Sequence, residues 1–169
     1  MIFCGYVFTV LNYICYWLSC FMKNKAAIVA LDLTAKVLMA FGLYCFHSLS
    51  GAYLFILMFI MLIASNIKER LHKKWVWGYV LFQCAYILAW YYTHVGFSSI
   101  LVFLTASTHL VIVWLLPPQQ MRLVGSFNCL IFFAYLVSIK NWAVGLEVFS
   151  FLSNVLAYLT YRKKAIAQK

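Results

Sequence analysis

The sequence predicts an all-α integral membrane protein of seven transmembrane helices, with the N-terminus outside and the C-terminus in the cytoplasm. Three observations predict it: an extreme apolar composition, apolar runs of spanning length with very short connections, and a one-sided distribution of lysine and arginine. Apolar residues make up 67% of the chain and charged residues 9%, with a mean hydropathy of +0.95, far outside soluble usage. A helix needs about 20 residues to cross roughly 30 Å of hydrocarbon, so seven short-looped helices turn the 169 residues into a single transmembrane domain. The chain has two prolines, the adjacent Pro117 and Pro118, and no stretch of polar and apolar alternation, which argues against a transmembrane barrel.

Uninterrupted apolar runs place the spans near 2–22, 26–46, 50–67, 75–92, 95–116, 121–139 and 142–161. Span one carries no basic residue ahead of its apolar run and no small-x-small cleavage site, so it is expected to be a retained helix rather than a signal peptide. Span four is bracketed by Trp75, Trp77, Trp90, Tyr91 and Tyr92, and span seven opens at Trp142; amphipathic rings of this kind anchor at the headgroups. Pro117-Pro118-Gln-Gln120 ends span five, and Met121-Arg122 opens span six.

Orientation follows from the cations. Lys23, Lys25, Lys68, Arg70, Lys73, Lys74, Arg122, Arg162, Lys163, Lys164 and Lys169 fall on one side, Lys140 alone on the other, and Lys36 within span two. Cationic loops are retained in the cytoplasm, and an odd number of spans agrees with the split. The net charge of +10 then faces the anionic cytoplasmic leaflet of the bilayer, where each basic residue contributes on the order of 1 kcal/mol. Nucleic-acid binding is the weaker explanation of that charge, because the basic loops are short and have no fold of their own. Cys15, Cys20, Cys84 and Cys129 fall within spans as small apolar residues, while Cys4 and Cys45 near the outer face are either free or paired. No cysteine or histidine spacing suits a metal, and no cofactor is expected.

A shift of 94 residues lays spans two and three over spans six and seven. Gly51 then falls on Gly145, Phe55 on Phe149, Leu62 on Leu156, Lys68 on Arg162, Phe41 on Tyr135 and Thr34 on Asn128. Both copies run from cytoplasm to outside and back. A parallel 3+1+3 arrangement follows, with repeat one at about 2–67, a linker helix at 75–92 and repeat two at about 95–161. That architecture resembles the SWEET sugar facilitators and the PnuC vitamin transporters.

A second resemblance rests on Gly145-Leu-Glu-Val-Phe-Ser-Phe-Leu-Ser-Asn154 followed by Arg162 and Lys163, on Ser50-Gly-Ala52, on Thr105-Ala-Ser-Thr-His109 through Trp114, and on Met121-Arg122. Read together, these segments resemble the YgjV-type bacterial inner membrane proteins across most of the chain. The chain departs from that family at Leu57 and Ile60, where an asparagine and an arginine tend to stand. The resemblance implies a multi-pass location in a bacterial inner membrane and a compact bundle; it supplies no reaction and no substrate.

Polar groups inside hydrocarbon are costly, so each must face protein, water or ligand. At 1.5 Å rise per residue, Asp32, His109, Asn128 and Asn154 all fall about 10–12 Å in from the cytoplasmic end. Lys36 follows Asp32 on the same face, Asn12 lies near the midplane, and Glu147 sits toward the outside. These seven are the candidate substrate-binding residues. Each also has a structural reading: Asp32 and Lys36 as an i, i+4 ion pair, His109 with Thr105 and Thr108 as interhelical hydrogen-bond glue, and the asparagines as packing contacts. Glu147 has no cation three or four residues away on its own helix, leaving Lys36 or Lys140 as partners. Tyr13 and Tyr16, on the face of Asn12, suit stacking on a flat solute or simple packing.

The expected function is transport of a small polar solute, of the sugar, vitamin, nucleoside or zwitterion class, by alternating access. A non-catalytic accessory or scaffold protein is the first alternative. An intramembrane lipid-modifying enzyme is the second, although the chain shows no paired-carboxylate, metal-ligand or nucleophile motif.

Overall fold

The computed structural model describes residues 1–21, 25–71, 75–116 and 118–167, and the regular structure of these residues is helical throughout. The order is α1 (Ile2–Phe21), α2 (Lys25–Cys45), α3 (Leu49–Arg70), α4 (Val76–Thr93), α5 (Gly96–Leu115), α6 (Pro118–Ser138) and α7 (Val144–Ala167). Lys23, Lys73, Lys74, Pro117 and Lys169 lie outside the described residues. Four stretches are long and apolar enough to cross a membrane: Ile2–Ser19, Ala27–Cys45, Leu49–Arg70 and Gly96–Leu115. With Phe3, Trp77, Tyr92 and Trp142 among many large apolar side chains on its outer surface, the molecule has the character of a helical membrane protein. The apolar stretches of α6 and α7 are shorter, Leu123–Ser138 and Val144–Leu156.

Two boundaries differ from the apolar runs for identifiable reasons. Helix α6 begins at Pro118 rather than near residue 121, because a proline at the first helical position forfeits no hydrogen bond. Leu116 ahead of the prolines is extended (φ −92°, ψ 143°), as the residue before a proline prefers, so the pair both stops α5 and starts α6. Helix α7 continues to Ala167, because lysine and alanine favour helix beyond the apolar run that marked the predicted end.

Helices α1 and α2 approach most closely through small residues. A Cβ on Gly42 would stand 2.9 Å from the Thr9 hydroxyl and 3.3 Å from the Gly5 carbonyl. Helix α2 packs on α3, α3 on α5, α5 on α6 and α6 on α7, while α4 rests on the outside of α3 and α5. Side chains complete the circuit between α7 and α1: Tyr13 donates to Glu147, Asn154 Nδ2 donates to the Tyr16 hydroxyl at 3.3 Å, and Trp17 meets Phe149 edge-on. Six helices thus form a ring, with α4 outside it.

The helices alternate in direction. At one end Lys68 Nζ donates to the Trp114 carbonyl (2.9 Å) and Trp114 Nε1 to the Trp75 carbonyl (2.8 Å), joining the end of α3, the start of α4 and the end of α5. At the other, Ser50 and Ser99 hydroxyls meet at 2.9 Å across the starts of α3 and α5. The first residues of α1 lie at this second end, where Gly5 touches Phe46, and the C-terminal part of α7 lies at the first.

Helices α2 and α6 end in the same way. His47 (φ 58°) and Lys140 (φ 54°) take the left-handed conformation, and the next residue reaches back five positions: Ser48 N to Leu43 O at 3.0 Å, Asn141 N to Leu136 O at 2.9 Å. This is a Schellman cap built on non-glycine residues. The two caps stand 93 residues apart, bond for bond.

The close approach at Gly42 makes a direct prediction. Gly42→Val lowers the unfolding free energy by about 1–3 kcal/mol through overpacking against α1. Gly145→Val, at a site with open space around it, is expected to cost clearly less in the same detergent-based thermal unfolding assay.

Candidate functional site: a polar cavity inside the helix ring

The ring encloses a cavity of about 340 Å³, within the range of small-molecule sites. Every helix of the ring contributes to its wall and α4 contributes nothing. All seven residues singled out by membrane depth line it: Asn12 from α1, Asp32 and Lys36 from α2, His109 from α5, Asn128 from α6, and Glu147 and Asn154 from α7. Helical periodicity brings them there as stripes. Asp32, Ala35, Lys36 and Met39 form one face of α2, and Glu147, Ser150 and Asn154 form one face of α7.

Glu147 is the centre of the polar side. Its carboxylate accepts a hydrogen bond from the Tyr13 hydroxyl, which ties α7 to α1, and the Cys129 thiol of α6 lies close enough to interact with it. Of the two cations expected to partner it, Lys36 is close enough to act on it electrostatically, whereas Lys140 lies exposed in the α6–α7 turn. Lys36 also feels Asp32, one turn earlier on α2, and its Nζ lies 5.5 Å from the centre of the Phe55 ring.

Asn154 is held by donation to the Ser150 carbonyl (3.0 Å) as well as to Tyr16 and to Cys129 Sγ (3.5 Å). Asn12, in the amide orientation that satisfies both of its polar atoms, donates to the Ala35 carbonyl at 2.8 Å and accepts from Tyr13 N at 3.3 Å. These bonds fix the rim of the site and consume the donors that make them. His109 Nδ1 and Asn128 Oδ1 differ: both are buried, and neither has a hydrogen-bond partner among the described residues. A buried acceptor or donor without a partner costs roughly 1–3 kcal/mol, and both atoms belong to residues that line the cavity.

The two halves of the wall are unequal. The lining face of α2 (Asp32, Ala35, Lys36, Met39) and that of α6 (Gly125, Asn128, Cys129, Phe132) are separated by a constant 93 residues, and those of α3 (Phe55, Met58, Leu62) and α7 (Glu147, Ser150, Asn154) by a constant 92. The 94-residue shift read from residue identities does not superpose these lining faces. It pairs Phe55, 4% exposed, with Phe149, 59% exposed, and outward-facing Thr34 with cavity-lining Asn128. Matching letters without regard to helix face produced the offset. Helix α3 lines the cavity with Phe55, Met58 and Leu62 and α7 with Glu147, Ser150 and Asn154, so one wall is apolar and the wall across from it polar.

Several wall residues escaped sequence reasoning. Cys129, a small apolar residue by sequence, accepts a hydrogen bond from Asn154 and lies beside Glu147. Ser150 was legible, because it shares the i, i+3, i+7 stripe of Glu147 and Asn154. Phe55 and Phe132 carried no signal that separates them from ordinary core. Tyr13 is a hydrogen-bond donor to Glu147 rather than a stacking platform, and Thr105, which also lines the wall, donates to its own helix at Leu101 O (3.0 Å). Cys4 and Cys45 are free thiols.

No protein-family model, curated protein or solved structure matches the chain.

The Tyr13–Glu147 bond should be measurable as a coupling. Tyr13→Phe leaves a buried carboxylate short of a donor and is expected to lower stability by about 1–3 kcal/mol. In a double-mutant cycle with Glu147→Gln, the interaction energy should reach at least about 0.5 kcal/mol in thermal unfolding; additive effects would mean the two side chains do not act as a pair.

Proposed function

We propose that this chain is a membrane transporter or facilitator that moves a small polar solute, of the sugar, vitamin, nucleoside or zwitterion class, by alternating access. The observation that carries the reading is the cavity: one space, walled by six helices and by none of α4, gathers all seven candidate polar residues. A non-catalytic scaffold has no need of such a space. Its polar groups would be expected to pair with one another and the interior to close over them.

The parallel 3+1+3 plan is part of the proposal. It is supported by the matching Schellman caps, by the constant spacing of the lining faces, and by the ring order, in which both junctions between the halves, α3–α5 and α7–α1, join the last helix of one half to the first helix of the other. A two-fold axis through the cavity would then let one half rock against the other around a fixed site, the geometry alternating access requires. The N-outside, C-inside orientation rests on the cation split read from the sequence and is consistent with termini at opposite ends of the bundle. The sequence resemblance to YgjV-type proteins is the support for a bacterial inner membrane location.

Within this reading, Asn128 and His109 offer unused hydrogen-bonding atoms to the solute, Asp32, Lys36 and Glu147 offer both signs of charge, and Phe55 and Met58 offer an apolar face. The test is uptake into proteoliposomes over a panel of polar metabolites. For a solute that the native protein takes up, Asn128→Ala and Glu147→Gln should each reduce the rate at least about tenfold, the loss of one or two solute hydrogen bonds, with unchanged protein in the membrane. Undiminished uptake by both variants would leave the scaffold reading as the better one.

A further inference from the structure

The cavity is displaced toward one end of the bundle. Its wall reaches Ile112 and Val113 near the end of α5 and Met121 near the start of α6, but toward the α2–α3 turn it stops at two aromatic rings. Phe55 of α3 and Phe132 of α6 lie with centroids 5.5 Å apart, and Phe132 in turn stacks on Tyr135 at 5.5 Å. Tyr135 is fully buried, and its hydroxyl lies 2.6 Å from Ser48 Oγ, at the start of α3.

Ser48 belongs to a second pocket, of about 220 Å³, at that end of the molecule. Its polar lining is His47 with the hydroxyls of Ser48, Ser50, Ser98 and Ser99; no lysine, arginine, aspartate or glutamate takes part. Three rings therefore separate two polar spaces: Phe55 and Phe132 face the cavity, and Tyr135 reaches the rim of the pocket.

Gly51 makes the arrangement possible. A Cβ at this position would collide with the Tyr135 hydroxyl and would also stand 3.0 Å from Leu43 and 3.1 Å from Ser48 Oγ. Glycine here leaves the space in which the tyrosine meets the serine.

We propose that the serine-lined pocket is the second mouth of the solute path, a weak site for uncharged hydrogen-bonding groups, and that the Phe55–Phe132–Tyr135 stack, latched by Ser48, is the gate between this mouth and the central cavity. The proposal rests on the transport reading and adds the route and its control point. Helices α3 and α6 belong to different halves of the ring, so rocking the halves apart breaks this stack while leaving each half intact. One hydrogen bond, Ser48 to Tyr135, and one ring contact, Phe55 to Phe132, cross between the halves and can exchange during a conformational cycle without unfolding. A mouth that hydrogen-bonds without lysine, arginine or carboxylate side chains in its lining lets a polar solute enter and leave without trapping it.

Cys129, on the cavity wall, provides a reporter that does not depend on knowing the solute. In a chain retaining Cys129 alone, with the other cysteines replaced by serine or alanine, a membrane-impermeant methanethiosulfonate is applied to right-side-out and to inverted vesicles. Modification is expected from the C-terminal face and at least about tenfold more slowly from the N-terminal face. Tyr135→Phe, Ser48→Ala and Gly51→Ala should each speed modification from the N-terminal face about tenfold, the equivalent of one lost hydrogen bond, without changing it from the other face. Tyr135→Phe keeps the ring and removes only the latch, so it decides the matter if Gly51→Ala disturbs folding. Unchanged N-terminal-face rates in Tyr135→Phe and Ser48→Ala, with C-terminal-face modification intact, would overturn the gate and leave the transport reading standing. Equal access from both faces in the native latch would also overturn the gate.

Discussion

The hydrogen bond from Tyr13 to Glu147 joins the first helix to the last, and the ring depends on that join. Neighbouring helices elsewhere in the circuit pack against one another directly, and α1 and α2 do so through Gly5, Thr9 and Gly42. Helices α7 and α1 meet mainly through long side chains: Tyr13 with Glu147, Tyr16 with Asn154, and Trp17 with Phe149. A carboxylate, an amide and two hydroxyls therefore hold open a seam that apolar residues would close. The constraint behind this is the absence of water in hydrocarbon: polar side chains must converge on one another or on a shared interior space. In this chain they do both, and the space they share is the cavity.

Much of this was legible because the membrane restricts what a sequence can do. Apolar run length gave helix positions to within a few residues, apart from the proline start of α6 and the helical extension of α7. The depth argument picked seven polar residues from five helices, and the cavity brings all seven together. It worked because a polar residue in mid-helix has few places to face. The partners were not legible, since the pairing of Glu147 with Tyr13 and Cys129 depends on how α1, α6 and α7 are rotated, and rotation leaves no trace in hydropathy. The apolar lining was hidden for a related reason. Phe55 and Phe132 on a cavity wall read the same as phenylalanines in a core.

The unequal walls of the cavity shape the functional picture more than the residue identities shared along the chain do. Shifting the correspondence by one or two residues moves a position to another face of a helix. With the faces aligned, the second half carries Glu147, Ser150 and Asn154 where the first carries Phe55, Met58 and Leu62, while α2 carries the Asp32 and Lys36 pair where α6 carries Gly125 and Cys129. Polar function is thus divided unequally between the halves. The polar lining is supplied by α1, α2, α5, α6 and α7, and the rings of α3 and α6 form the apolar boundary of the cavity.

The central claim is that the cavity is a solute site, and ligand-dependent thermal unfolding tests it most directly. A solute that binds only the folded state at 100 times its dissociation constant adds about 2.7 kcal/mol of stability, enough to raise Tm by several degrees. The account predicts that at least one member of a broad panel of small polar metabolites does so in the native protein, and that the shift is lost in Asn128→Ala and His109→Ala. A panel that leaves Tm unmoved, or a shift that persists in both variants, would contradict it.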